Sequence, residues 1–246
     1  MAIILGGNGV DAAVTIGPNI VTDGLVFYID PADTTSLVPK DNAPLGSGIE
    51  IDYIHGLVGD TQKIAFSTTT FPYYSPTKQG YLTIGLNNLD ICVGDLSKEI
   101  VLGSTYTVDI WIAPRVDSSN GANWLTGKDS LRASTTSDRV LLSVSKNGIS
   151  TYGYGTLSRS IVQDQWINIT IVVTPTQATY YTNGVFRGVG LYSITPIDMT
   201  LQYIGIFRNK STGGDGNIGP TKAYDRALTA QEVKQNYNAI KNRYTI

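Results

Sequence analysis

The sequence is poor in the residues that carry most protein chemistry. Its 246 residues include one cysteine, Cys92, and one histidine, His55. A lone cysteine cannot form an intrachain disulfide, and no second cysteine is present to help hold zinc. A serine-hydrolase triad would need His55 as its base, yet no Gly-x-Ser-x-Gly elbow presents a nucleophile. We therefore expect no metal and no cofactor, and we interpret His55 as a polar loop residue.

Glutamate is also scarce, since only Glu50, Glu99 and Glu232 occur. Most glycosidases need two positioned carboxylates, one of them with a raised pKa. Hydrolysis of a sugar chain would therefore depend on aspartates. We expect a protein that is not an enzyme, with a polysaccharide depolymerase that uses two aspartates as the enzymatic alternative.

Charge and long apolar runs are both limited. Lys and Arg number 18 and Asp and Glu number 20, so the net charge is −2. Without a basic excess, we expect no binding to nucleic acid. No apolar run approaches the roughly 20 residues that span a bilayer, so we expect no membrane insertion. The apolar start at Met1 lacks the basic residues of a secretory signal, and we expect release from a cell by lysis.

The remaining pattern is that of an all-β protein. The run Leu25–Ile29 is continuously apolar, which predicts a central buried strand. Residues 106–112 and 167–173 alternate between apolar and polar side chains, as half-buried strands do. Asn147-Gly148 and Asn183-Gly184 each separate two strand-like runs and predict hairpins with type I′ turns.

The two ends of the chain differ from this pattern. Residues 1–22 are rich in glycine and carry little charge, which predicts an N-terminal arm outside a single domain of residues 23–246. Residues 229–243 predict a C-terminal helix, because Thr229 and Glu232 form a capping box.

Three aromatic side chains and one amide are candidates for binding a sugar. Trp124 follows a turn-like Asn-Gly pair, which predicts an exposed indole in a loop beside Asn123. Tyr152 and Tyr154 are separated by a glycine and could present their rings in the same way. The alternative is that these aromatic residues fold back onto the core, as we expect for Trp111 and Trp166.

The order of these segments resembles the concanavalin A-like lectin/glucanase superfamily, in its laminin-G-like branch. The matching segments are 24–30, 106–112, 165–170, 180–185, 216–220 and 224–233. The resemblance implies an antiparallel jelly-roll β-sandwich with one C-terminal helix. The Glu-x-Asp-x-x-Glu strand of the related glucanases and a clear calcium-binding loop are missing from the sequence.

The closing segment, residues 224–244, is similar to structural proteins of tailed bacteriophages. This resemblance implies a non-enzymatic virion protein on the particle surface, as a head decoration or as a tail or neck appendage. We expect the N-terminal arm to attach it to other virion proteins by strand addition, and we expect a homo-oligomer. The alternative is a carbohydrate-binding adhesion module for host surface polysaccharide, through Asn123, Trp124, Tyr152 and Tyr154.

Overall fold

The computed structural model describes residues 19–58, 63–66, 72–77, 80–84, 92–115, 122–129, 139–145, 147–154, 156–158, 160–192, 198–206 and 215–244. Antiparallel strands dominate this part of the chain. In chain order they are β1 (Leu25–Ile29), β2 (Leu37–Pro39), β3 (Ile49–His55), β4 (Lys63–Phe66), β5 (Tyr73–Ser75), β6 (Tyr81–Ile84), β7 (Cys92–Gly103), β8 (Tyr106–Arg115), β9 (Ala122–Asp129), β10 (Arg139–Ser145), β11 (Gly148–Ser150), β12 (Leu157–Ser158), β13 (Ile167–Val173), β14 (Gln177–Thr182), β15 (Val185–Leu191), β16 (Met199–Ile206) and β17 (Asp215–Tyr224). Two short 3-10 turns, Thr34–Ser36 and Lys40–Asn42, flank β2, and helix α1 (Ala230–Tyr244) closes the chain.

The strands form two sheets that share β3. In the first, which we call the helix-side sheet, the order is β15-β14-β13-β8-β17. The two halves of β17 then pair with β1 and β6, and β6 leads through β5 to the start of β3. In the second sheet the order is β2-β3-β4-β7-β16-β9-β10-β11-β12. The predicted antiparallel sandwich is therefore confirmed.

Side-chain alternation places the main core between the sheets. Ile110 and its apolar neighbours at every second position of β8 are buried there, together with Ile169 and Ile171 of β13. These are the inward faces that the alternating sequence predicts. Burying apolar surface on the facing sides of two sheets is the dominant stabilising contribution in such a sandwich.

The opposite face of the helix-side sheet is covered by α1. Trp111 and Trp166 are buried there beside Tyr244 of the helix. The Trp166 and Tyr244 rings stack with their centroids 4.0 Å apart, and the Trp111 and Tyr237 rings stack at 5.7 Å. Trp111 lies in β8 as predicted, whereas Trp166 is buried just before β13 begins.

This covering also explains the continuous apolar run of β1. Phe27 and Ile29 point into the main core, while Tyr28 points into the cluster beneath α1. Within the described residues β1 pairs with β17 alone. It is therefore buried because the second sheet covers one of its faces and α1 covers the other, although it has a neighbouring strand on one side only.

The C-terminal helix begins as the sequence predicts. The Thr229 hydroxyl accepts a hydrogen bond from the Glu232 backbone N–H at 3.2 Å, and the Glu232 carboxylate accepts one from the Thr229 N–H at 2.8 Å. Leu228 and Val233 are buried in one cluster across the first turn. The capping box and its hydrophobic staple therefore fix the start of α1. No helix in the described ranges is long and apolar enough to cross a membrane.

Both predicted hairpins are present, but one turn differs by a residue. Asn183 and Gly184 have φ values of 53° and 68°, as a type I′ turn requires. In the other hairpin Gly148 is already the first residue of β11 and pairs with Ser145 of β10. The prediction that Asn147 and Gly148 are both central turn residues is therefore wrong.

The described end of the predicted arm lies against α1. The Val21 N–H donates to Asn236 Oδ1 at 2.9 Å, and the Val21 carbonyl accepts from the Tyr224 hydroxyl at 3.1 Å. The Gln235 side chain donates to the Asn19 carbonyl at 2.8 Å. Residues 19–21 are thus held by the helix, and residues 1–18 lie outside the described part.

Candidate functional site: a tyrosine pocket at one end of the sandwich

A pocket lined with tyrosines lies at one end of the sandwich. Its space, counted together with the open solvent at its mouth, is about 250 Å³. The residues that line it are Ser104, Tyr106, Tyr152, Tyr154, Val173, Tyr192 and Met199. The enclosed part holds about one water molecule, so a ligand ring would lie across the mouth of the pocket and not inside it.

The pocket forms because strand ends from both sheets meet there. Tyr106 is the first residue of β8 and Val173 the last of β13, both in the helix-side sheet. Met199 is the first residue of β16 in the second sheet. Ser104 lies in the turn that crosses from β7 to β8, which Gly103 opens with a φ of 72°. Loops at strand ends are the usual place for binding residues on a rigid sandwich.

Backbone contacts fix the two tyrosines at the pocket mouth. Tyr154 and Tyr192 form an antiparallel backbone bridge, and their ring centroids lie 4.6 Å apart at an interplanar angle of 41°. The Tyr154 hydroxyl donates a hydrogen bond to the carbonyl of Thr174. Because its hydroxyl is engaged with the backbone, Tyr154 offers a ligand its ring more than its oxygen.

Gly153 makes the close approach of these rings possible. Its φ is 80°, a left-handed conformation that side chains disfavour. A Cβ at this position would lie 2.3 Å from Cε2 of Tyr192. The glycine between Tyr152 and Tyr154 is therefore required by both the backbone and the Tyr192 ring.

Two phenol groups of the pocket, those of Tyr106 and Tyr154, are held in their neutral form. Burial, together with the smaller effect of the nearby Tyr192, raises the pKa of Tyr154 to about 12. Burial also raises the pKa of Tyr106 well above its usual value. At ordinary pH these groups act as hydrogen-bonding phenols and not as nucleophiles or general bases.

None of the described residues that line the pocket is charged. A ligand would meet aromatic faces, a thioether, an alcohol and phenol groups. Such a surface combines apolar contact with a few polar groups that set orientation. It suits a neutral, hydroxyl-rich ring.

Two of the four predicted binding residues come together here. Tyr152 and Tyr154 lie on the loop between β11 and β12, and both line the pocket. Sequence reasoning missed Tyr192, which follows β15, and Ser104. Their proximity depends on antiparallel pairing between distant segments, and no local pattern signals it. The glycine between the two predicted tyrosines was the one available sign of a close approach.

The prediction of an exposed Trp124 is wrong. Trp124 lies in β9, which pairs with β16 on one side and β10 on the other, and its side chain is 0% exposed within the main core. The large aromatic area is buried between the sheets, so it is not available for stacking on a ligand. Asn123 precedes it in β9 and its backbone is opposite Ser143, while its side chain lies outside the described part.

His55 is likewise in a strand and not in a loop. It is the last residue of β3, and its ring meets the edge of Tyr53 with centroids 5.2 Å apart. Among the described residues no three His, Cys, Asp or Glu side chains are grouped as metal ligands would be.

The matched family model covers residues 77–234 and is described as the concanavalin A-like lectin/glucanases superfamily. The chain belongs to this superfamily. The match includes β7 to β17 and the first turn of α1, and therefore also the whole tyrosine pocket. A search of curated protein sequences found no match.

Solved structures with a similar fold are distant in sequence. The binding domain of botulinum neurotoxin serotype G matches with a TM-score of 0.55 and 13% identity, over 75% of this chain and 48% of that one. A Trypanosoma rangeli sialidase in complex with sialic acid matches with a TM-score of 0.55 and 15% identity, over 92% of this chain and 35% of that one. The binding domain of Paraclostridial Mosquitocidal Protein 1 matches with a TM-score of 0.52 and 16% identity, over 85% and 53%. The chain thus spans about a third to a half of these structures, and the likeness establishes the lectin-like fold.

Proposed function

We propose that this protein is a non-enzymatic carbohydrate-binding module and that the tyrosine pocket is its sugar site. The observation that carries the proposal is the convergence of Tyr152, Tyr154 and Tyr192 at one uncharged pocket. Aromatic rings cover the C–H faces of a sugar ring, and nearby hydroxyls replace the hydrogen bonds that the sugar makes with water.

The names of the similar structures support a function in binding. Two of them are toxin binding domains, and a third is a sialidase in complex with sialic acid. A fold of this kind hosts several functions, so the pocket and not the fold carries the argument.

The composition of the pocket favours binding over hydrolysis. Glycosidases act with two carboxyl groups on either side of the bond that they cleave. The described lining contributes no carboxylate, and the phenols of Tyr106 and Tyr154 stay neutral. Assay of released reducing ends from host polysaccharide tests this part of the proposal, and a protein-dependent release would contradict it.

We place this module on the surface of a tailed-phage particle, as a head decoration or as a tail or neck appendage. The support is the resemblance of residues 224–244 to phage structural proteins. On a particle, many copies of a weak site raise the apparent affinity by effective concentration. The protein should be found by mass spectrometry in purified particles. If the protein were absent from particles, the proposed location would be wrong, but the proposed sugar site would not be affected.

Binding to an array of bacterial surface polysaccharides tests the sugar site. The protein is multimerised on a scaffold so that weak single-site binding is visible. The variants Tyr154→Ala and Tyr192→Ala each remove one ring, and we expect binding about tenfold weaker. Phe186→Ala removes an aromatic ring that is 56% exposed on β15 and serves as the matched control.

The expected result is a specific hit that both tyrosine variants weaken and the Phe186 variant retains. Circular dichroism of each variant confirms that the sandwich is folded. A hit that survives loss of both tyrosines would contradict the assignment of the pocket.

A further inference from the structure

A lysine and an aspartate lie opposite each other beneath α1. Asp109 of β8 and Lys222 of β17 are direct partners in the antiparallel register. Lys222 Nζ lies 2.6 Å from Asp109 Oδ1, and both side chains are 0% exposed. The pair lies on the face of the helix-side sheet that also carries Trp111 and Tyr28.

The two carboxylate oxygens of Asp109 have different surroundings. Oδ2 accepts a hydrogen bond from the Thr170 hydroxyl at 2.6 Å and one from Asn168 Nδ2 at 3.2 Å. Oδ1 faces Lys222 and has no hydrogen-bond donor from any other described residue. Oδ2 thus accepts two hydrogen bonds, whereas Oδ1 faces the amine of Lys222.

The lysine has more donors than its surroundings can satisfy. An ammonium group carries three N–H donors. Among the described residues its close polar contact is Asp109 Oδ1, and the ring of Tyr28 lies 5.9 Å from Nζ. Burying an ion with unmatched donors is costly, and a site away from water favours neutral groups over ions. An amide between the two side chains has one N–H and one carbonyl and removes both charges.

We propose that Lys222 and Asp109 condense into an intramolecular isopeptide bond. A proton passes from Nζ to the carboxylate, and the neutral amine attacks Cγ of Asp109. The Nζ–Cγ bond forms, the Cγ–Oδ1 bond breaks, and Oδ1 leaves as water with two hydrogens that started on Nζ. Oδ2 remains as the amide carbonyl, where the Thr170 hydroxyl and the Asn168 amide stabilise the negative charge of the tetrahedral intermediate.

The bond would join the central strand β8 to the closing segment of the chain. Strand β17 leads directly into α1, so the link anchors the helix-bearing end to the sheet that it covers. A crosslink between distant positions restricts the unfolded chain and raises resistance to heat and proteolysis.

Mass spectrometry of the unmodified full-length chain tests the proposal. The intact protein should weigh one water less than its sequence. Trypsin should then release the peptide 99–115 joined to the peptide 211–226, in which cleavage after Lys222 is blocked. An aspartate that cyclises with its own backbone also loses water, so the branched peptide is the deciding observation. Separate, unlinked peptides from folded protein would overturn the proposal.

The ion pair between Lys40 and Glu50 is an internal control. Lys40 Nζ lies 2.7 Å from Glu50 Oε2, but the two side chains are 38% and 33% exposed. The same digest should show these two side chains unlinked, because water solvates both charges. If Lys40 were linked to Glu50 to the same extent as Lys222 to Asp109, the claim that burial favours the condensation would be wrong.

Two variants separate the chemistry from a simple ion pair. Asp109→Asn offers an amide in place of the acid, so the same link should form with loss of ammonia from that variant. Lys222→Arg keeps a positive charge but should give only unlinked peptides, with cleavage restored after position 222. If either variant does not fold, the digest of the parent chain still decides.

Discussion

The molecule has two clusters of aromatic side chains that differ in their access to solvent. Trp111 and Trp166 pack against the ring of Tyr244 in α1, and all three side chains are at most 7% exposed. Tyr152 and Tyr154 are half-buried at the end of the sandwich, where they line a pocket. Both clusters hold aromatic rings 4 to 6 Å apart. What covers the rings, and not their presence, separates a structural cluster from a binding site.

The coverings have different origins. The sealed cluster is closed by a helix whose cap and staple are local to residues 228–233. In the described part of the chain, turns and loops bound the open cluster and no helix lies over it.

Trp111→Ala breaks the sealed cluster. The indole is 0% exposed and contacts Tyr237 and Tyr244 of α1. Removing a buried tryptophan leaves a cavity, and we expect the free energy of unfolding to fall by about 4 kcal/mol. Chemical denaturation measures the change. Phe186→Ala, at an exposed aromatic residue, should change the same quantity by less than about 0.5 kcal/mol.

Gly153→Ala breaks the open cluster. The new Cβ would meet the Tyr192 ring, and the left-handed φ adds backbone strain. We expect a loss of about 2 kcal/mol in the free energy of unfolding, together with loss of sugar binding. Gly48→Ala is the matched control, since its φ is 76° and nothing lies within 4 Å of the added Cβ. Equal losses for the two variants would contradict the contact with Tyr192.

Glu232→Gln weakens the start of the helix that seals the first cluster. The guanidinium of Arg226 and the groups of Thr229 lower the pKa of Glu232 from its ordinary value of 4.5 to about 2. The stabilisation by this carboxylate is therefore complete above pH 4.5 and disappears as the pH falls towards 2.

We expect the substitution to cost about 1 kcal/mol at pH 7. The difference from the parent protein should shrink as the pH falls between these two pKa values. Denaturation curves at several pH values measure it, and a difference that grows in acid would contradict this account.

Tyr154→Phe has the smallest expected effect and separates the ring from its hydroxyl. The hydroxyl donates to the Thr174 carbonyl inside the protein, so its loss should cost about 1 kcal/mol of stability. The ring remains, and sugar binding should change by less than about twofold. A loss of binding as large as that of Tyr154→Ala would show that the hydroxyl contacts the ligand.

The sequence was sufficient for the features that depend on local patterns. The alternation of residues 106–112, the cap at Thr229 and the hairpin at Asn183 each follow from neighbours along the chain. The pocket was only half predictable, because Tyr192 reaches Tyr154 through strand pairing across 38 positions. Trp124 was misplaced because the Asn-Gly before it suggested a loop. Asp109 is at a polar position of the alternating run 106–112, but the covering helix buries it together with Lys222.

Titration of the protein with its sugar ligand, followed by the NMR signals of the tyrosine rings, tests the central claim most directly. The signals of Tyr152, Tyr154 and Tyr192 should shift with saturation, while those of Tyr237 and Tyr244 in α1 should not. Shifts confined to other tyrosines would contradict the assignment of the pocket as the binding site.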